Sequence, residues 1–224
     1  MFLGHIAVGL AGKRAAPGLS LATWIAAAQF VDLLWPIMLL LGLEHVRIAP
    51  GITAVTPFDF YDYPITHSLV GGLGWAAVFV IFYLVTRTRR TTRIALLLAG
   101  AVLSHWVLDV IAHRPDMPVL PHGPYLGLGL WNSIPATLVV EFALFAAGIF
   151  VYMGTRPDVA RRISFWILIG FLVVAYLAAT FGPPPPDVHT LAVTGLSMWL
   201  LIPWLGFVDR TVGSRQSGVG SHSR

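Results

Sequence analysis

Long apolar runs interrupted by almost no ionisable side chain are the feature that most restricts what this chain can become. Six of them recur, at about 19–36, 68–86, 94–112, 134–154, 163–181 and 190–208. A helix rises ~1.5 Å per residue, so each run reaches across a hydrocarbon core of roughly 30 Å. Within lipid a backbone must satisfy its own hydrogen bonds, which for such runs means helix. With 57% hydrophobic and 11% charged residues, the 224-residue chain is far more apolar than a water-soluble domain. The expected fold is therefore all-α, a polytopic membrane bundle of about six transmembrane helices. Residues 1–212 read as one membrane-embedded domain and 213–224, rich in Gly and Ser, as a disordered cytoplasmic tail.

Before the first run, Met1 to Gly12 is apolar and is followed by Lys13 and Arg14, the reverse of the signal-peptide order, so no cleavage is expected. Too short to span, this segment is expected to be a short interfacial or re-entrant helix. Lys and Arg sort by loop: Lys13, Arg14, Arg87, Arg89, Arg90, Arg93, Arg156, Arg161, Arg162, Arg210, Arg215 and Arg224 fall on one side, Arg47 and Arg114 on the other. Positive short loops remain cytoplasmic, which places both termini inside a multi-pass protein. The net charge of +4 accordingly reports orientation and not nucleic-acid binding; the bilayer is the expected partner, and the oligomeric state is not encoded in any pattern.

The segments facing outward differ from those facing in. Residues 44–66 set Phe58, Phe60, Tyr61 and Tyr63 around Asp59 and Asp62, and residues 113–132 are rich in Pro and Gly; both are suited to covering a site. Asp59 and Asp62 read as solvated loop carboxylates. Pro183 to Pro186 form a stiff connector. Gly71, Gly72, Gly74 and the alanine clusters of the first three runs permit close helix approach.

Ionisable groups inside lipid are expensive and so carry the functional signal. Asp32 lies in the first run, His67 heads the second after Thr66, a candidate N-cap, His105 and Asp109 lie in the third, and Glu141 lies in the fourth. No run offers a Lys or Arg partner. His105 and Asp109, four residues apart, share a helix face with Cβ atoms roughly 5–6 Å apart, which one metal ion can bridge. His113 continues that stripe, although Pro115 is expected to end the helix near Arg114. All these groups fall in the outer halves of their runs, and a re-entrant first helix brings His5 to similar depth. There is no cysteine, so His and carboxylate must be the ligands. That donor set suits a divalent metal, zinc first and manganese second, as one or two ions, with an open position at which water ionises and attacks an ester. The metal set is thus His5, Asp32, His67, His105 and Asp109, with Glu141 handling protons, and Arg114 and His113 contacting substrate.

The motifs Pro64-Ile65-Thr66-His67-Ser68-Leu69, Ser104-His105-Trp106-Val107-Leu108-Asp109 and His113-Arg114-Pro115-Asp116, with Gly4-His5 and Phe30-Val31-Asp32, resemble the bacterial inner-membrane metal-dependent hydrolase family (YdjM-like). The resemblance implies a bacterial cytoplasmic membrane location, a membrane-embedded metal site and hydrolytic activity on an undefined substrate. The order His5, Asp32, His67, His105 with Asp109 is also similar to the ligand order of the zinc-dependent phospholipase C and P1-nuclease group, which points to phosphoesters. In that group a His precedes a Glu by four residues; here Thr137 stands at that place before Glu141, against a three-metal centre. The expectation is a hydrolase acting on a phosphoester of a lipid or other amphiphile. Its rivals are a proton- or metal-coupled transporter and a catalytically silent membrane protein with a structural metal. One-sided clustering of the polar groups and the lack of an inverted repeat weigh against the transporter.

Overall fold

In a computed structural model, which describes residues 1–87, 91–155 and 159–210, the chain is an all-α bundle with two small hairpins. A first helix, α1 (Phe2–Ala15), is followed by α2 (Leu21–Ala28) and α3 (Phe30–Leu40). The strands β1 (His45–Ile48) and β2 (Phe58–Asp62) form an antiparallel hairpin that leads into the short α4 (Pro64–His67). Then come α5 (Leu69–Thr86), α6 (Thr92–Ala112), a two-residue ribbon of β3 (Met117–Pro118) with β4 (Tyr125–Leu126), α7 (Ile134–Met153) and α8 (Val159–Phe181). The chain continues through α9 (Val188–Leu196) and a single 3₁₀ turn into α10 (Leu201–Arg210).

Five helical stretches are long and apolar enough to cross a bilayer, and the α2–α3 pair makes a sixth if counted as one bent span. Their outward faces carry large apolar side chains such as Phe82, Val85 and Phe150, as lipid contact requires. The protein is a multi-pass membrane protein. Local sequence explains the helix starts: Ser20, Thr91 and Ser133 each accept a backbone N–H three residues on. Arg89, Arg90, Arg156, Arg215, Arg224 and the expected disordered tail lie outside the described residues.

Two expectations are refined. The first span is not continuous: α2 and α3 meet at Gln29 at an angle of 57°. The Ala28 carbonyl at this break accepts from His105 Nδ1 at 2.9 Å, so a tertiary bond replaces a helical one. Pro36, inside α3, further denies the Asp32 carbonyl its helical donor. The first helix is not interfacial. It is buried from Leu3 to Ala7 and at Gly9 and Leu10 in the middle of the bundle, packed most extensively against α7 and also against α2 and α6. At 14 residues it is about 21 Å long, short of a full crossing. Gly9 and Gly148 make this burial possible. A Cβ on Gly9 would stand 2.9 Å from Ile25 Cα, and one on Gly148 2.7 Å from Ala7 Cα. The basic end of α1 is locked where α2 begins: Lys13 Nζ reaches Asp209 Oδ2 at 2.9 Å, and the same carboxylate oxygen accepts from Leu21 N.

Candidate metal centre

Burying α1 beside α7 and α6 has one chemical result: His5 comes to lie on His105, the two rings stacked 3.6 Å apart and 9° from parallel. Asp109, one turn beyond His105 on α6, addresses both. Its Oδ1 is 3.0 Å from His5 Nε2 and its Oδ2 is 3.1 Å from His105 Nε2. From the other side α3 brings Asp32, whose Oδ1 is 3.5 Å from His105 Nε2 and 3.3 Å from His67 Nε2. Two overlapping triads result, His5–His105–Asp109 and Asp32–His67–His105, the ligand atoms of each lying within 4.8 Å of one another. Tetrahedral ligands at zinc distances stand about 3.4 Å apart, the range these side chains already occupy.

Hydrogen bonds on the far ring nitrogens decide which nitrogens face inward. His105 Nδ1 can only donate to the Ala28 carbonyl, so a proton sits there and Nε2 is the nitrogen left to face Asp109 and Asp32 and to ligate a metal once its own proton is gone. That Nε2 is buried, and although both carboxylates stand close, neither is aligned for a good hydrogen bond. His67 is oriented by a longer relay: the Thr66 hydroxyl donates to Glu44 Oε2 at 2.6 Å and accepts from His67 Nδ1 at 2.7 Å. The Thr66 amide adds a bond to Glu44 Oε1 at 2.8 Å. His67 Nε2 is thereby the nitrogen turned to Asp32, to which it donates at 3.3 Å, and the one that would give up its proton to ligate a metal. Such outer partners are what hold metal-ligating imidazoles in the right tautomer. Because His105 has only one nitrogen to give, it serves a single ion. Either one ion gathers ligands from both triads, or a second ion makes do with the remainder.

The cluster also attracts a cation of another kind. The α-amino nitrogen of Met1 is 2.6 Å from Asp109 Oδ1 and 3.1 Å from His5 Nε2. A count of Lys and Arg overlooks this group. It occupies the place of a positive charge between two ligand atoms, so a metal ion bound there would displace it or take it, deprotonated, as a further nitrogen donor.

Of the residues singled out by sequence, His5, Asp32, His67, His105 and Asp109 are brought together. Glu141 lies beside them but in neither triad: its Oε2 accepts the Leu3 and Gly4 amides at 2.7 and 3.2 Å, so it caps the start of α1. His113 is buried at the end of α6, its Nδ1 bonded to Asp116 Oδ1 at 2.9 Å and its ring against Trp131 and Phe60. Tyr63, which sends its hydroxyl to the same place, is held well above the ordinary phenol range by burial and by Asp116, and stays a donor. Arg114 is placed otherwise than expected. Its guanidinium pairs with Asp59 and Asp116, and it is not among the residues lining the cavity described below. Asp59, expected to be solvated, is only 8% exposed and also pairs with Arg47. Asp62 pairs with His45. Thr66 does not cap the second span. Ser68, with an extended backbone, does so by accepting from Gly71 N, which frees Thr66 for Glu44 and His67.

Sequence reading missed Glu44, which is 1% exposed and whose carboxyl burial raises above its ordinary value. No spacing rule links it to Thr66, 22 residues on; only the hairpin does.

Asp32, His67, Asp109, His113 and Glu141 line one cavity of about 240 Å³, roofed by Phe58 and Phe60 from the first hairpin and by Trp131. The roof is tied together where Ala54 N and Val55 N both donate to the Trp131 carbonyl. Along Val55 to Phe58 the cavity adjoins a larger one of about 620 Å³, walled by Pro183 to Pro186 and α9. Comparison of the chain with protein-family models, with curated proteins and with solved structures gives no match.

Proposed function

We propose that the protein is a membrane-embedded metal-dependent hydrolase acting on a phosphoester of a lipid or similar amphiphile, and that it resides in a bacterial cytoplasmic membrane with both ends of the chain inside. The observation that carries the reading is the convergence of three imidazoles and two carboxylates in one buried cluster, of which Asp32, His67 and Asp109 line the cavity, with the ligating nitrogens of His67 and His105 fixed inward. A divalent ion bound there, zinc or manganese, supplies the Lewis acidity that polarises an ester and acidifies water. Asp109 and Asp32 hold the positive charge, and Ala28, Thr66 and Glu44 keep the imidazoles aimed. Glu141 and His113 line the same cavity, within reach of a proton that must leave or return. Apolar walls and helix neighbours facing lipid favour a substrate that arrives sideways from the bilayer. Orientation rests on charge: Lys13, Arg14, Arg87, Arg93 and Arg162 gather at one end of the bundle, Arg47 and Arg114 at the other. Reporter fusions at Arg90 and Pro121 are expected to give opposite signals.

Metal analysis after detergent purification and reloading with zinc or manganese tests the centre. Near-stoichiometric metal is expected in wild type, most of it lost in His105→Ala, His67→Ala and Asp109→Asn, and none lost in His189→Ala. Equal metal in wild type and Asp109→Asn, or none in either, overturns the reading. The contact of the Met1 ammonium with Asp109 favours a second reading, a metal-free ion-pair cluster that only holds helices together, and the same measurement separates the two.

A further inference from the structure

Two hydrogen-bond donors on the cavity wall lack a well-aligned acceptor. The indole N–H of Trp35 and the hydroxyl of Tyr176 are buried and neither meets an acceptor in full bonding geometry among the described residues, although Glu141 and Thr180 both approach the Tyr176 hydroxyl. Both residues line the cavity that holds the metal cluster. Trp35 follows Asp32 by three residues on α3 and so shares its face, its ring 6.2 Å from that of His67. Tyr176 stands across from it on α8, on the Glu141 side. Buried donors in native proteins are almost always satisfied, so a pair left open on one cavity marks where acceptors of a ligand belong.

The charges around them narrow what that ligand is. Asp32, Asp109 and Glu141 line the cavity, and no Lys or Arg side chain among the described residues does. Arg114, the cation nearest in sequence to the site, is spent on Asp59 and Asp116. The Met1 ammonium also lines the cavity, but Asp109 already holds it, so each negative charge on an incoming head group meets three carboxylates against that one paired ammonium, and metal and neutral donors must supply most of its hold.

We propose that Trp35 and Tyr176 hold the ester oxygens of the substrate, in a site that selects head groups carrying at most one negative charge. This rests on the metal-dependent reading above. A diester or an uncharged ester fits such a site, and a doubly charged monoester does not. The apolar stretch Val55, Pro57 and Phe58, leading to the larger cavity, receives the tail of the amphiphile.

Calorimetric titration of the full-length, zinc-loaded protein with dimethyl phosphate and with methyl phosphate tests this at about pH 8, where the second is a dianion. Wild type is expected to bind dimethyl phosphate at least ~10-fold more tightly, since a lost hydrogen bond to a charged group changes affinity by about that factor or more. Trp35→Phe and Tyr176→Phe are each expected to weaken it about 10-fold at unchanged zinc content. If Trp35→Phe unfolds the protein, 3-benzothienylalanine at position 35, which keeps the ring volume and lacks the N–H, takes its place. Preference for methyl phosphate, or variants that bind like wild type, overturns the proposal. If wild type takes up no zinc, the metal-dependent reading falls by itself. The same titration then still decides: binding that the two variants weaken supports the donor pair, and absent binding overturns it.

Discussion

Replacing Thr66 by Val changes one hydroxyl for one methyl and leaves the packing volume nearly as it was, which makes it a clean probe of the relay behind His67. Two bonds vanish, the 2.6 Å donation to Glu44 and the 2.7 Å acceptance from His67 Nδ1, while the 2.8 Å amide bond to Glu44 remains. Each buried polar group left without a partner costs about 1–3 kcal/mol, so the fold is expected to lose at least about 2 kcal/mol. Removing the outer partner of a metal-ligating His typically lowers metal affinity about 10–100-fold, and the expected loss for zinc falls in that range. The assay is zinc competition against a chelator in detergent, paired with nitrogen chemical shifts that report whether the His67 proton sits on Nδ1. Thr66→Ser keeps the hydroxyl and should restore most of both. Unchanged zinc affinity in Thr66→Val, or an equal loss in Thr66→Ser, would show that the relay does not set the His67 tautomer.

Gly148→Ala puts a Cβ 2.7–2.8 Å from Ala7 and forces α1 away from α7; overpacking of this kind costs about 1–3 kcal/mol, and a lower Tm in detergent is expected, whereas an unchanged Tm would mean that α1 can shift freely. A pH dependence is expected at Asp187, whose carboxyl the Thr190 amide, bonded at 2.6 Å, holds below its ordinary value. A depressed folded value means that the cap is fully present above the ordinary Asp value of about 3.9 and is lost as pH falls below it. Protection of the Thr190 amide from hydrogen exchange, corrected for the intrinsic rate, should hold down to about pH 4 and drop below it, and not in Asp187→Asn.

Hydropathy located the transmembrane helices because lipid leaves an apolar run no other stable form, and so 68–86 and 134–154 match α5 and α7 almost residue for residue. What it could not show was the break at Gln29. No Gly or Pro stands at that position, and the cause, a His105 nitrogen on the Ala28 carbonyl, lies 77 residues away. The five clustered ligand candidates were legible because an ionisable group in an apolar run is conspicuous by itself. Glu44 and Trp35 were not, since an acidic residue in a loop and a Trp near a membrane surface are both ordinary until the hairpin and α3 place them. The partners of Arg114 were hidden for a related reason. A lone Arg beside a site invites a phosphate, and only the fold shows that Asp59 has been brought to it across 55 residues.

The central position of α1 also ties the metal cluster to a single docking contact. At about 21 Å, and ending in Lys13 and Arg14, it is too short to be threaded across a bilayer as a span of its own. Its principal groove is made by α7, whose Glu141 must be in place before the amides of Leu3 and Gly4 have an acceptor. His5 reaches His105 only when α1 is seated in that groove, so the two-ring stack is a direct report on the docking of α1 against α7.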